Sequence, residues 1–199
     1  MLYQDVDLLD CGGPYEVFLT ATRLALRDGD PAPFEVVTVT PSGQAVTAYG
    51  GLSLTPHCDW AAAGEIEVLV VPGTTEIDRA LGDEALLACI DRLRAGAKIV
   101  ASVCTGAFLL AKLGLLEERA WTTHWEDVDL LAQALGAAGA RRDVRWVADG
   151  AIVTAAGLSS GIAMSLHLVD RLAGRELAER TARQLDYDWD PAGSRGWAA

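Results

Sequence analysis

Lys98-Ile99-Val100-Ala101-Ser102-Val103-Cys104-Thr105-Gly106-Ala107-Phe108-Leu109-Leu110 is a short apolar run that passes without a loop into residues of helical character. Such a run is what a strand buried on both faces of a parallel sheet looks like. We expect a strand over residues 98–103 and a helix over 105–113. Upstream, residues 66–71 repeat the apolar run and stop at Pro72-Gly73. Between the two runs, Asp83 is placed to cap a helix whose Leu86, Ile90 and Leu93 recur at helical spacing, so the segment reads as a β-α-β unit.

The same reading extends in both directions. Met1-Leu2-Tyr3 reads as the stub of a strand, and Pro14 suits the first turn of a helix over 14–27, because its missing N–H has no intrahelical partner there. Residues 34–39 are rich in β-branched side chains, and 46–54 suggest a hairpin around Gly50-Gly51. Further on we expect a helix over 125–135, a tight turn at Asp149-Gly150 between strands 144–147 and 151–154, and helices marked by Ile162, Leu166 and Val169 and by residues 175–187. The tail from Pro191 has no usable pattern. Alternation of strands and helices implies an α/β fold, a flavodoxin-like layered sandwich with a mostly parallel central sheet and helices on both faces. Ligands in such sheets sit beyond the carboxyl ends of the strands. The Asp10 loop, Pro72-Gly73-Thr74 and Cys104 should therefore meet there.

Composition narrows the classes. The chain has 199 residues, 51% hydrophobic, which suits one domain over 1–199 with a sizeable core. No stretch approaches a membrane span, and the first residues lack the regions of a signal peptide, so a cytoplasmic protein is expected. A formal charge of −12 disfavours direct binding of nucleic acid. Cys11, Cys58, Cys89 and Cys104 form no C-x-x-C pair, and His57, His124 and His167 are dispersed, so neither a metal nor another cofactor is expected.

Cys104 stands out among these thiols. At a corner between strand and helix the backbone is cramped, and Ser102 and Gly106 flank Cys104 as small residues flank the nucleophile in a G-x-S-x-G elbow. A helix N-terminus favours thiolate, and the following N–H groups can hold developing negative charge, so Cys104 should be the most reactive of the four thiols. A buried cysteine acting as a small hydrophobe is the alternative.

Asp10-Cys11-Gly12-Gly13-Pro14-Tyr15-Glu16-Val17-Phe18, the Cys104-Thr105-Gly106-Ala107 elbow and Thr122-Thr123-His124-Trp125 together resemble the ThiJ/PfpI superfamily, of class I glutamine amidotransferase-like fold. The likeness spans nearly the whole chain. It is strongest to the branch holding isonitrile hydratase and the sensor domains of AraC-type regulators, where threonine follows the cysteine. The resemblance implies that Asp10 lies against Cys104 as a catalytic carboxylate, although the residues alone would favour a helix cap. It implies that Thr105 contributes its N–H and hydroxyl, with capping as its ordinary role, and that Gly73 and Thr74 border an oxyanion site. Thr74 replaces a glycine usual in that loop, which alters the oxyanion-binding backbone. Thr105 also stands where the protease-like branch carries histidine, which argues against a peptidase. His124 either enters the pocket or makes a structural hydrogen bond.

The expected function is a cysteine-dependent small-molecule enzyme resembling isonitrile hydratase, with a ligand- or redox-sensing module and a glyoxalase- or deglycase-like enzyme as alternatives. The expected partners are a small-molecule substrate or ligand and a second copy in a homodimer. Trp121, Trp125 and Trp146 are candidates for an interface or for the core.

Overall fold

The computed structural model describes residues 1–194. Its central sheet has β5 (Val68–Val71), β6 (Ile99–Val103), β8 (Ile152–Ala155) and β7 (Trp146–Asp149) in the spatial order β5-β6-β8-β7. The first three are parallel, and β7 is an antiparallel edge. Strand β6 lies in the middle and is buried throughout, because both of its faces are covered by helices. Val100 belongs to the core shared with α3 (Glu84–Arg94), α4 (Gly106–Lys112) and α5 (Val128–Leu135). Ile99, Ala101 and Val103 point the other way, into the core of α1 (Leu8–Arg27), α6 (Ser160–Ala173) and α7 (Arg175–Gln184). The period-2 alternation of a strand thus divides the apolar residues between two layers, as the α/β sandwich requires.

Beside this sheet, β1 (Val39–Thr40) pairs in parallel with β4 (Cys58–Asp59), and β2 (Val46–Thr47) with β3 (Ser53–Leu54) makes the expected hairpin, its turn holding Gly50 and Gly51 at positive φ. A short helix α2 (Ile77–Leu81) precedes α3, whose N-terminus Asp83 caps through Leu86 N–H at 3.0 Å. Among the described residues no helix is long and apolar enough to cross a membrane.

Several boundaries differ from expectation. Helix α1 starts at Leu8, so Asp10 lies in its first turn and not in a preceding loop, and Pro14 sits inside the helix. Pro14 withdraws one N–H from the ladder, yet the helix continues because its apolar face is buried through Val17, Phe18, Ala21 and Leu24. Gly13 keeps α1 tight against α6, where a Cβ would lie 3.0 Å from Ile162. Met1-Leu2-Tyr3 forms no regular strand; single backbone bonds run from the Met1 nitrogen to Val70 O (3.1 Å) and from Leu2 N to Val39 O (2.7 Å). The strand expected over 34–39 is confined to Val39–Thr40. The turn near Asp149 moves one residue on, to Gly150-Ala151. Residues 125–127 form a 3₁₀ turn before α5. Of the tryptophans, Trp121 is buried, Trp125 is exposed, and Trp146 stacks on His167 with ring centroids 3.8 Å apart.

Candidate functional site

The carboxyl ends of β5 and β6 lie side by side in register, Val71 opposite Ser102, so the turns that leave them converge. At the end of β6, Cys104 takes φ 55°, a left-handed conformation costly for a side chain with a Cβ. The surroundings hold it there. Cys104 N–H donates to both Ala155 O and Ala156 O at the end of β8, and the Thr123 hydroxyl donates to Cys104 O at 2.8 Å. Gly106 completes the corner, since a Cβ there would fall 2.3 Å from Val71 O. The cramped elbow read from Ser102 and Gly106 is therefore present, and its strain is local to the cysteine.

Asp10 reaches this corner from α1 and is wholly buried. Its Oδ2 accepts Gly73 N–H at 3.0 Å, and its Oδ1 is buried without a partner among the described residues. It does not cap α1, whose N-cap is Asp7. Burial, with the charge of Asp7 added, pushes the Asp10 carboxyl up to about 7, against smaller stabilisation by Gly73 N–H and the Cys104 thiol. The Tyr3 hydroxyl closes the floor by donating to Pro72 O at 2.7 Å.

The thiol departs from expectation. Burial, then the Asp10 charge, push Cys104 up to about 12, against the Thr105 and Leu158 N–H groups, which favour the anion. Thiolate is therefore scarce at neutral pH. Helix α4 has only 7 residues, and its terminal dipole does not outweigh desolvation beside a carboxylate. The pair carries one proton more readily than it loses both, because two adjacent buried anions repel.

The loop amides are also arranged differently. Gly73 N–H is taken by Asp10, and Thr74 N–H donates to Thr105 Oγ1 at 2.8 Å, while the Thr105 hydroxyl donates back to Thr74 O at 2.7 Å. The two amides expected to border an oxyanion site are thus engaged within the protein, and the Thr105 hydroxyl neither caps α4 nor stands free. Thr74 does not take positive φ, so its bulk is accommodated without strain. The N–H groups that face the sulfur are those of Thr105 and Leu158.

His124 stands one shell away. Its Nδ1 lies 3.5 Å from the Asp127 carboxylate and 3.7 Å from Glu126, and its ring presses on Gly157, where a Cβ would meet it at 2.4 Å. It backs the Gly157-Leu158 turn that supplies one of the two amides. Thr123 and Leu158 were not singled out from the sequence. Thr123 lies inside the Thr122-Thr123-His124-Trp125 motif, to which no role of its own was assigned, whereas Leu158 acts through its backbone and left no signal.

A family model, the DJ-1/PfpI family, matches residues 2–171. The chain belongs to the DJ-1/PfpI family. Among curated DJ-1/PfpI relatives, isonitrile hydratase of Pseudomonas putida is 34% identical over 189 residues, 94% of this chain and 76% of that protein. The HTH-type transcriptional regulator GlxA of Rhizobium meliloti is 31% identical over 95% of this chain, which spans only 55% of the regulator. A ThiJ/PfpI family protein from Pseudomonas syringae superposes with TM-score 0.80 at 29% identity, covering 96% of this chain and 74% of that one. Drosophila melanogaster DJ-1beta, at 20% identity and TM-score 0.75 over 94% of this chain and 96% of that chain, shares the fold.

Proposed function

We propose that residues 1–199 act as one small-molecule enzyme domain that hydrates isonitriles to N-substituted formamides, with Cys104 as nucleophile and Asp10 as proton carrier. The observation that carries this reading is a buried carboxyl poised at about 7 beside a neutral thiol. Near pH 7 Asp10 holds its proton about half of the time, which suits general acid work. An isocyanide carbon must gain a proton before it accepts a nucleophile, and a histidine-activated thiolate is not needed for that. The 34% identity to isonitrile hydratase supports the same substrate class.

The Asp10 carboxyl protonates the isocyanide carbon of R–N≡C, Cys104 sulfur bonds to that carbon, and the thiol proton passes to Asp10. This yields the thioimidate R–N=CH–S–Cys104. Water then adds to the carbon as the nitrogen takes a proton, and Asp10 relays the proton that water gives up. The tetrahedral carbon expels sulfur to leave R–NH–CHO, and the thiol regains its proton. The Thr105 and Leu158 N–H groups stabilise charge on the sulfur as it leaves.

The test is turnover of purified protein on alkyl isonitriles and on 2-oxoaldehydes. Cys104→Ala should abolish formamide release, and Asp10→Asn should lower kcat by about 10²–10⁴-fold. Since the protonated acid is required, kcat/KM should fall as pH rises through about 7. Turnover of 2-oxoaldehydes alone would favour the glyoxalase- or deglycase-like reading. Reversible ligand binding without any turnover would favour a sensing module, in line with the regulator relatives.

A further inference from the structure

The peptide group between Pro72 and Gly73 is held from both ends inside the core. Its carbonyl oxygen accepts the Tyr3 hydroxyl at 2.7 Å, and its N–H, on Gly73, donates to Asp10 Oδ2 at 3.0 Å. Tyr3 and Asp10 are both buried, so the two bonds form one short chain shut off from water, from the phenol through the peptide to the carboxyl. Glycines make room for it. A Cβ on Gly73 would lie 2.8 Å from Asp10 Oδ2, and a Cβ on Gly106 would lie 2.8 Å from Pro72 O. The following peptide is fixed as well, since Gly73 O accepts Asp7 N–H at 2.9 Å and Thr74 N–H donates to Thr105 Oγ1. What remains adjustable is the polarity of the Gly73 N–H, and a donor on the carbonyl of its own peptide increases it.

We propose that Tyr3 is a positioning residue of the Cys104 site: its hydroxyl, acting through the Pro72-Gly73 peptide, aims and strengthens the backbone donor on Asp10 Oδ2 and so leaves Oδ1 as the oxygen that carries the transferred proton. The transfer itself rests on the hydratase reading above; the hold on Asp10 does not. Oδ1 has no partner among the described residues, so a proton there is not tied up within the protein. The groups that act on this carboxyl are Asp7 from its own helix, Cys104 from the corner after β6, and Gly73 from the loop after β5, with Tyr3 behind the last. Burial and Asp7 disfavour its anion, whereas Gly73 N–H and the Cys104 thiol favour it. Tyr3 does not titrate beside it, because burial first, and then the charges of Asp10 and Cys104, hold the phenol well above its ordinary pKa. It stays a donor throughout. A phenylalanine would fill the same place in the core, so the hydroxyl is the part of Tyr3 that packing does not call for.

The experiment reads the Asp10 carboxyl directly, by ¹³C NMR titration of the full chain with aspartate labelled at Cγ, the signal being identified by its loss in Asp10→Asn. From a wild-type midpoint of about 7, Tyr3→Phe should move it up by roughly 0.2–0.5 pH unit, as expected when one bond fewer in a chain weakens its neighbour by about 10–30%. A fluorotyrosine at position 3, a stronger donor of nearly the same shape, should move it down. A tyrosine that only fills space predicts the opposite sign for Tyr3→Phe, because a loosened core admits water and relief of desolvation lowers the carboxyl toward 3.8. A midpoint lowered or unchanged in Tyr3→Phe overturns the proposal; should that variant not fold, an unchanged midpoint with fluorotyrosine overturns it equally. On alkyl isonitriles the falling limb of kcat/KM should move with the NMR midpoint in each protein. Midpoints that shift as stated without any turnover support the hold of Tyr3 on Asp10 and remove the hydratase reading, so the two failures are told apart.

Discussion

Asp10 carries a penalty that its site retains. Its folded-state pKa of about 7 lies above the ordinary 3.8, so the folded protein binds that proton more tightly than the unfolded chain does. This stabilisation is fully present below pH 3.8 and is lost as pH rises through about 7, a swing of roughly 4 kcal/mol. Asp10→Asn cannot ionise, so its melting temperature should exceed the wild type's by a margin that grows between pH 4 and pH 8. Calorimetry over that range decides it, and a constant margin would remove Asp10 as the titrating group. Thr123 is a positioning residue, since its hydroxyl holds the carbonyl of a cysteine in a strained conformation. Thr123→Val leaves that carbonyl only the longer bond from Ala107 N–H, at 3.4 Å, and should cost about 0.5–1.5 kcal/mol. On the proposed reaction it should lower kcat with little change in KM, while Thr123→Ser restores both; an unchanged kcat would show that the elbow holds itself.

Between elements, the site depends on how closely β5, β6 and α4 approach. Gly106 is the contact point, for a Cβ there would meet Val71 O at 2.3 Å and Pro72 O at 2.8 Å, both rigid backbone. Gly106→Ala should therefore destabilise by about 2–4 kcal/mol in urea unfolding. Gly12, in α1, has nothing within 4 Å of where its Cβ would lie. Gly12→Ala should stabilise by about 0.5–1 kcal/mol through helix propensity alone. If both changes were neutral, the close packing at the elbow would not be what sets its geometry.

At the scale of the molecule, the charge of −12 acts on the whole surface. The ion pairs, such as Lys98–Glu67 and Arg142–Asp129, are exposed and contribute little. Self-repulsion of the excess acidic groups is the larger effect, so Tm should rise as salt goes from about 0.01 to about 0.15 M. A fall in Tm over that range would mean that the surface pairs outweigh the repulsion.

The α/β layering, the buried strand over β6, the Asp83 cap, the hairpin at Gly50-Gly51 and the Cys104 corner were legible from the sequence, because each follows from local periodicity or from a residue that local backbone geometry demands. The start of α1 was not legible. Pro14 looks like a first-turn residue, and only burial against α6 carries the helix across it. The protonation of the site was misread for a related reason. The sequence places Cys104 at a helix N-terminus, which lowers a thiol's pKa, but burial and a carboxylate brought from 94 positions away raise it further. Likewise Gly73 and Thr74 looked free to bind an anion until folding supplied Asp10 and Thr105 as their partners. By itself the sequence determined the strands of the central sheet, the helices α3 to α7 and which cysteine sits at the corner, since these depend on neighbours along the chain; it misjudged residues 1–3 and 34–38, which form no strand. Tertiary structure alone decided which amides face the sulfur and how much charge the pair can bear, because desolvation and hydrogen bonding depend on groups that only the fold brings together.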